Sequence, residues 1–571
     1  MKYLLQLLCL LLLTGAGAAN AQRFQFKGRW IDSVYQSMSE TERIGQLFMV
    51  AAYSGGDKAN QDKIVQLVKN RQIGGVIFMQ GNGEAQAKMT NHLQKISRVP
   101  LLIGMDAEWG LGMRLTGVKN LPKQMMIGAT RDTALMYAMG SAIADQCRRL
   151  GVHIDFAPVV DINNNPRNPV INFRSFGDDK EWVARLGIAY MKGLQDKGIM
   201  ACAKHFPGHG DVAVDSHQDL PVIKKSREQL EETEFFPFRQ MIAAGVQSVM
   251  IAHLSVPALD DSKNLPTTLS SKVIEGVLRK DMHFGGLIFT DALDMKGLTK
   301  YYPDGETDLK AFLAGNDVLL FSQNVPLAIS KIQWALRTGK IADTGLETRV
   351  KRILEAKYEA GLYQYRPVKE HNVTADLNKS TDELKEKIAR AAITLVRDQG
   401  GLLSKIKAGA KVSYININGS SSTYLYHALK KNYPALESQN LPKKSNAAQV
   451  KAMIAKLKDT DVIVVGIHEL ALYPGKDGYY GLDATQISAL QQLSQKKNVI
   501  FAILGNAYMM KNICNAKSVL VGYEDDTYTE EAAYEVLTGK LKAKGRLPVK
   551  PCAAQAKTAA RPNANPENPK P

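Results

Sequence analysis

Short runs of consecutive apolar residues recur through the first part of the chain, at 74–78, 101–105, 154–158, 201–203, 248–252, 286–290 and 318–321. Each is too short for a stable helix and shows little alternation, which is the pattern of strands buried on both faces of a parallel sheet. Longer stretches with apolar residues three and four apart separate most of them. Residues 179–197 and 227–244 are examples, and they predict amphipathic helices. A further helix is predicted over 30–50, where Ser39-Glu40-Thr41-Glu42 supplies a cap and an acidic first turn before Ile44, Leu47 and Phe48. So many strand–helix units imply an α/β fold in which a closed (β/α)8 TIM-like barrel, rather than an open sheet, occupies residues 22–362.

The alternation then changes scale. Residues 363–390 are charged, contain Pro367, and predict a linker that wraps or connects. Beyond it, apolar runs at 392–396, 411–415, 461–466, 499–504 and 518–521 alternate with helical patterns such as 447–458 and 485–496. They predict a smaller α/β sandwich domain over 391–552 with a mostly parallel sheet. It has no Gly-rich dinucleotide fingerprint, so no cofactor is expected there. The run 553–571 is dominated by Ala, Pro, Asn and Lys, a composition that predicts a disordered tail.

The amino terminus reads as a secretory signal over 1–21: Lys2, an apolar run over 4–13, then the small-residue site Ala19-Asn20-Ala21. The run is too short to span a bilayer. Export to a periplasm or outer envelope is therefore expected, and Cys9 leaves with the leader. Cys147, Cys202, Cys514 and Cys552 remain, too few and too scattered for a disulfide framework or a thiolate metal site. They are expected to be mostly structural. Formal charge is +17, spread along the chain. Such a charge suits peripheral contact with anionic envelope polymers, whereas the absence of zinc-finger spacing and of a basic–aromatic module argues against nucleic acid.

The densest chemistry lies in Lys204-His205-Phe206-Pro207-Gly208-His209-Gly210-Asp211, followed by Asp215-Ser216-His217. Glycine and proline punctuate a rigid loop that carries three histidines, a lysine and acids. Metal ligation, phosphate or sugar binding, and proton transfer by an Asp-positioned histidine all suit it. Pro207 and Gly208 oppose a helix that would hold His205 and His209 on one face, so no metal is expected. Asp106, Glu108, Asp161, His253 and Asp291 each follow an apolar run, which is where barrel enzymes keep their sites.

These segments, with Asp106-Ala107-Glu108, Asp155-Phe156-Ala157-Pro158-Val159-Val160-Asp161, Arg174-Ser175-Phe176-Gly177, Pro266-Thr267-Thr268-Leu269-Ser270, Phe289-Thr290-Asp291 and Ala314-Gly315-Asn316-Asp317, resemble the ordered landmarks of family 3 glycoside hydrolases, and specifically their β-N-acetylglucosaminidase branch. The resemblance implies an exo-acting retaining β-N-acetylglucosaminidase. It would release terminal β-linked N-acetylglucosamine from envelope glycans, muropeptides or chitooligosaccharides through a covalent glycosyl-enzyme intermediate. Asp291 would be the nucleophile, and His217 the acid–base with Asp215 orienting its ring. Asp106, Arg174, Lys204 and His205 would hold the sugar and help accommodate its 2-acetamido group. His209 would brace the loop, while Asp155 and Asp161 could contact substrate or support the barrel rim. The second domain would be structural or substrate-narrowing.

Two alternatives stay open at this point: a family 3 β-glucosidase or β-xylosidase, and a non-catalytic envelope glycan-binding protein. The presence of Asp291 opposes the second. Branches acting on β-glucosides resemble proteins that take their acid–base from the second domain, whereas Asp215-Ser216-His217 supplies one within the barrel. Trp109 stands where the branch more often has glycine, and Ala292-Leu293-Asp294 departs from its usual wording. Trp109 is thus a candidate for narrowing a subsite or stacking in it.

Overall fold

Eight parallel strands follow one another around a barrel. They are β1 (Phe48–Ala52), β2 (Gly75–Phe78), β3 (Leu102–Met105), β4 (Ile154–Asp155), β5 (Met200–Phe206), β6 (Ser248–Ile251), β7 (Leu287–Thr290) and β8 (Leu319–Leu320). Strands β1 to β7 pair in chain order, β8 pairs back onto β1, and an isolated bridge between Phe289 and Val318 closes the seam between β7 and β8. The computed structural model describes residues 25–213, 219–407, 409–420, 422–457 and 460–552. The expected leader and tail lie outside these residues, as do Asp215 and His217.

Three local expectations need correction. The helix predicted over 30–50 does not run through: a helix spans Glu40–Gly45 behind the Ser39/Glu42 capping box, and the chain then enters β1. Ile44, Leu47 and Phe48 match helical spacing only because helix and strand bury consecutive side chains across a tight junction, all at 0% exposure. The helix predicted over 227–244 is two, Arg227–Glu232 and Phe235–Ala243, because Pro237 cannot donate back to Thr233 and its ring opposes a continuous turn. Lastly, β5 continues to Phe206, so Lys204 and His205 stand on the strand itself and not on the loop beyond it.

The second sheet comprises β9 (Thr394–Asp398), β10 (Val412–Ile417), β11 (Glu437–Leu441), β12 (Val462–Ile467), β13 (Val499–Ile503) and β14 (Ser518–Val521). Its spatial order is β9-β14-β13-β12-β10-β11, with β9 antiparallel and the rest parallel. Strands β10, β12, β13 and β14 are buried throughout, as a parallel sheet covered on both faces requires.

The loops after β12 and β13 bring this sheet onto the barrel. Asn506 Nδ2 donates to Asn172 Oδ1 at 2.6 Å, the Tyr508 hydroxyl to the Asn163 carbonyl at 3.1 Å, and the Tyr473 hydroxyl to the Val170 carbonyl at 3.3 Å. Residues 363–390 lie along the barrel as a strap, held where Arg149 Nε meets Asp376 at 2.7 Å and Gln146 Nε2 donates to the Leu377 carbonyl at 2.9 Å. Buried side chains of both sheets belong to one connected hydrophobic cluster.

Cys514 and Cys552 are joined in a disulfide, with Cα atoms 5.7 Å apart, a single structural bond that their scattered spacing does not reveal. The chain returns across 38 residues to place them together, and no local pattern announces that return. Cys147 and Cys202 are buried thiols.

Candidate active site

The carboxyl ends of the barrel strands enclose a cavity of about 370 Å³. After β3 the chain places Asp106 and Glu108 two residues apart, and both line it; Lys204 and His205 arrive on β5, and Asp291 follows β7. Arg174 enters from the loop between β4 and β5. Five residues expected at the site, Asp106, Arg174, Lys204, His205 and Asp291, thus share one cavity. Asp215 and His217 lie outside the described residues, between Ala213 and Asp219.

The charged groups form one network. Lys204 Nζ is 2.8 Å from Asp106 Oδ1 and 2.9 Å from Glu108 Oε1. Arg174 holds Glu108 with Nε at 3.0 Å and Nη2 at 2.6 Å, and Arg114 Nη2 reaches Asp106 at 2.5 Å. Such charge-assisted and bidentate bonds fix orientation as well as charge. Burial alone would raise the Glu108 carboxyl, but Arg174 and Lys204 bring it down to about 2. Burial likewise opposes ionisation of Asp106, and Lys204 with Arg114 overcomes it, so Asp106 is held below the usual carboxylate range. Lys204 is pushed upward by the two acids despite its burial. The network is therefore fully ionised near neutral pH, which suits it to gripping hydroxyl groups.

A second layer aims these groups. Asp161 accepts from the His205 ring Nδ1 at 2.7 Å and from the backbone amide of His209 at 2.7 Å, which orients the imidazole and ties the following loop to β5. Gly210 packs so tightly that a Cβ there would stand 1.7 Å from the Ile162 carbonyl oxygen, so glycine is required. Gly208 adopts φ +129°, a backbone that disfavours side chains. The buried His209 ring is pushed down to about 4 by burial and by His205. Asp155 is buried beneath the Asp106–Glu108 turn. Its Oδ1 accepts the Ala107 amide at 2.9 Å, and the Tyr190 hydroxyl lies 3.0 Å from Oδ2 and 3.2 Å from the carbonyls of Ala107 and Glu108. Both Asp155 and Asp161 therefore support the rim.

Asp291 is fixed through its backbone. Its amide donates to the Ile251 carbonyl at 2.9 Å, and its Oδ1 accepts the Ala292 amide at 2.8 Å. The Ala292 carbonyl in turn accepts from His253 Nε2 at 2.9 Å. The histidine after β6 thus braces the turn that presents the carboxylate.

Several contributors to the site carry no signal in the sequence. Glu108 was visible as an acid at a strand end, but nothing in the sequence showed that it is the shared partner of Arg174 and Lys204. Arg114 and Tyr473 gave no signal, the latter because it comes from the loop after β12 and lines the cavity from across the barrel mouth. Elsewhere among the described residues, His468, Asp525 and Glu530 bring donor atoms within 4.8 Å of one another. Both ring nitrogens of His468 are already engaged there, Nδ1 with Asp525 at 2.9 Å and Nε2 with the Tyr414 hydroxyl at 2.8 Å.

A barrel whose mouth carries two ionised acids, three partner cations and a separate carboxylate in one cavity has the parts of a polyol-binding hydrolase. Residues 40–356 match the glycosyl hydrolase family 3 N terminal domain. The chain belongs to glycosyl hydrolase family 3. This family 3 enzyme is 30% identical over 385 residues to the β-N-acetylglucosaminidase/β-glucosidase of Cellulomonas fimi, covering 66% of this chain and 67% of that protein. It is 29% identical over 549 residues to β-hexosaminidase A of Pseudoalteromonas piscicida, covering 85% and 90%. Among solved structures, a family 3 β-N-acetylglucosaminidase from a Paenibacillus species superposes with a TM-score of 0.74 at 30% identity, over 90% of this chain and 99% of that one. The family 3 enzyme described here is accordingly a glycoside hydrolase, which removes the non-catalytic alternative.

Proposed function

We propose that this glycoside hydrolase is an exo-acting β-N-acetylglucosaminidase that works with retention. The observation that carries the reading is the placement of Asp291 in one cavity with the Asp106–Lys204–Glu108–Arg174 network. The network is suited to holding the hydroxyls of a terminal sugar while Asp291 attacks its anomeric carbon. The leaving oxygen is protonated by His217, oriented by Asp215; the same imidazole then takes a proton from water as the glycosyl–Asp291 bond breaks. An imidazole near pKa 6.5 is suited to both steps. The N-acetyl specificity rests on the activities for which the Cellulomonas and Pseudoalteromonas relatives are named and on the Asp215-Ser216-His217 motif.

The natural substrate in this reading is a chain end bearing β-linked N-acetylglucosamine, in envelope glycans, muropeptides or chitooligosaccharides, met after export. The Cys514–Cys552 disulfide supports an oxidising compartment, and the leader pattern supports export. The test is kcat/KM on aryl β-N-acetylglucosaminide, β-glucoside and β-xyloside with one common aglycone. The N-acetyl substrate should lead by at least roughly tenfold, the discrimination that one well-made polar contact supplies. A β-glucoside preferred over it would overturn the assignment and favour the second activity in the name of the Cellulomonas relative.

A further inference from the structure

The parallel sheet of the second domain has one end that the reaction does not use. The loops that follow its strands pack on the barrel, as at Asn506 and Tyr508 after β13. Because β10, β12, β13 and β14 are parallel, the residues that precede them share the opposite end. That end lies about 20 Å away, the length of a strand such as Val462–Ile467.

Lysines crowd it. Lys407 and Lys411 precede β10, Lys456 precedes β12, Lys496 and Lys497 precede β13, and Lys517 precedes β14. The ladder pairs Val412 with Val462, Ile463 with Val499 and Ile500 with Ser518, so these positions follow one another across four adjacent strands. At about 4.8 Å from strand to strand, the row is about 15 Å wide. Lys496 is half-buried and the others are exposed. Among the described residues none of the six forms an ion pair. Lysines on the barrel are placed differently: Lys119 pairs with Asp382, Lys197 with Asp145, and Lys351 with Asp32 and Glu347.

The acids at this end do not balance the row. Asp461 accepts the Lys411 amide at 2.9 Å, and Asp398 accepts the Ser518 hydroxyl at 2.8 Å and the amides of Leu402 and Leu403. Glu437 lines a cleft of about 490 Å³ together with Lys411 and Lys456. Helix ends explain only part of the charge. Lys456 and Lys496 stand at the carbonyl ends of helices Ala447–Ala455 and Ala484–Ser494, where a cation is favoured. Lys411 and Lys517 enter their strands from turns, where no such end calls for them.

The residue type narrows the partner. A lysine ammonium is a point charge, without the guanidinium fork that matches a phosphate. Tyr433, the aromatic residue of the cleft, is buried, so no ring is offered for the base stacking that single-stranded nucleic acid uses. We propose that this lysine end is a docking surface for a carboxylate-bearing glycan polymer. The polymer is held by charge, while the barrel, at the other end of the same sheet, takes chain ends. This inference rests on the glycan-cleaving reading of the barrel.

The experiment measures binding of the full-length enzyme to insoluble peptidoglycan, which carries carboxylates, with uncharged chitin alongside. At low ionic strength, where screening is weak, the combined change Lys411→Glu, Lys456→Glu, Lys497→Glu and Lys517→Glu should lower affinity for peptidoglycan by roughly tenfold or more. Reversal of four exposed barrel lysines, Lys69, Lys88, Lys95 and Lys280, alters net charge equally and should leave affinity within about twofold of wild type. Binding to chitin and kcat/KM on a soluble aryl glycoside should be the same in all three proteins. Wild-type affinity in the first variant, or equal losses in both, overturns the proposal, the latter by tracing binding to net charge alone. Tighter binding of a single-stranded oligonucleotide than of peptidoglycan at the same salt overturns the partner class. If the charge-reversed protein does not fold, glutamine at the same four positions carries the same reading. Failure to cleave N-acetyl substrates would sink the substrate assignment and leave this measurement intact.

Discussion

Arg174 grips Glu108 through two hydrogen bonds, Nε to Oε2 at 3.0 Å and Nη2 to Oε1 at 2.6 Å, while Lys204 shares the Oε1 side of the same carboxylate. Glu108 is therefore the hub that fixes two of the groups expected to hold the sugar. Glu108→Gln should free both from their geometry and lower kcat/KM by roughly 10²-fold, the scale of an ångström-level misplacement. Leaving buried charge unpaired should also cost about 3–5 kcal/mol of stability. Arg174→Lys should not be benign either, since an ammonium cannot reproduce the fork. Steady-state kinetics and thermal melts of both variants check this; wild-type kcat/KM in Glu108→Gln would show that the hub is dispensable.

Asp155 gives a pH signature. Burial pushes its carboxyl up to about 7, against an ordinary value of 3.8. A neutral Asp155 can donate to the Tyr190 oxygen, whose own proton then goes to a carbonyl of Ala107 or Glu108, so the buried cluster is satisfied without charge. Between about pH 4 and pH 7 the folded state keeps a proton that the unfolded state has lost, so this group's contribution to stability falls as pH rises through that window. Asp155→Asn keeps the donor and cannot ionise. Its melting temperature should gain on the wild type progressively from pH 4 to pH 7, and a constant difference across that range would contradict the shift.

The disulfide makes a separate prediction. Cys514–Cys552 closes a span of 38 residues directly after the 3-10 turn Ala507–Ile513 that links β13 to β14, and neither cysteine lines the active cavity. Reduction, or Cys514→Ser with Cys552→Ser, should lower stability by about 2–4 kcal/mol while leaving kcat/KM on an aryl glycoside near its original value at 25 °C. A melting temperature unmoved by reductant would count against the bond contributing to the fold.

Much of this was legible in the chain because strand ends are where a barrel must place its chemistry. Seven of the strands announced themselves as buried apolar runs, and of the polar residues just beyond them Asp106, Glu108 and Asp291 line one cavity while Asp161 and His253 brace it. The eighth, β1, was hidden because Ile44, Leu47 and Phe48 fall by accident on helical spacing. Asp106, Lys204 and Asp291 could be found from position alone. What pairs with what could not: the Glu108–Arg174 bond spans 66 residues, and Tyr473 reaches its place only through the packing of a second sheet. Periodicity records which face of an element is buried, not which distant element buries it. The same limit hid the disulfide.

His217 is best interrogated through the leaving group. His217→Ala removes a proton transfer typically worth ~10²–10⁴-fold. A poor leaving group, such as a sugar or an alkyl alcohol, should suffer the full loss in the first step. A nitrophenolate needs little protonation and should suffer far less, with added azide rescuing the second step. Asp215→Ala should fall between wild type and His217→Ala, because it keeps the imidazole and removes its orienting partner. Equal losses on good and poor leaving groups, with no azide rescue, would move the acid–base role to another residue.

The proposed retaining mechanism requires a covalent bond between the sugar and Asp291. A 5-fluoro-N-acetylglucosaminyl fluoride slows both steps but its fluoride departs readily, so the glycosyl-enzyme should accumulate. Mass spectrometry of the intact protein should show the added mass of one fluorosugar, and peptide mapping should place it on the peptide containing Phe289-Thr290-Asp291, with Asp291→Ala unlabelled. A label on another carboxylate, or turnover of the reagent by Asp291→Ala at the wild-type rate, would rule out Asp291 as the nucleophile.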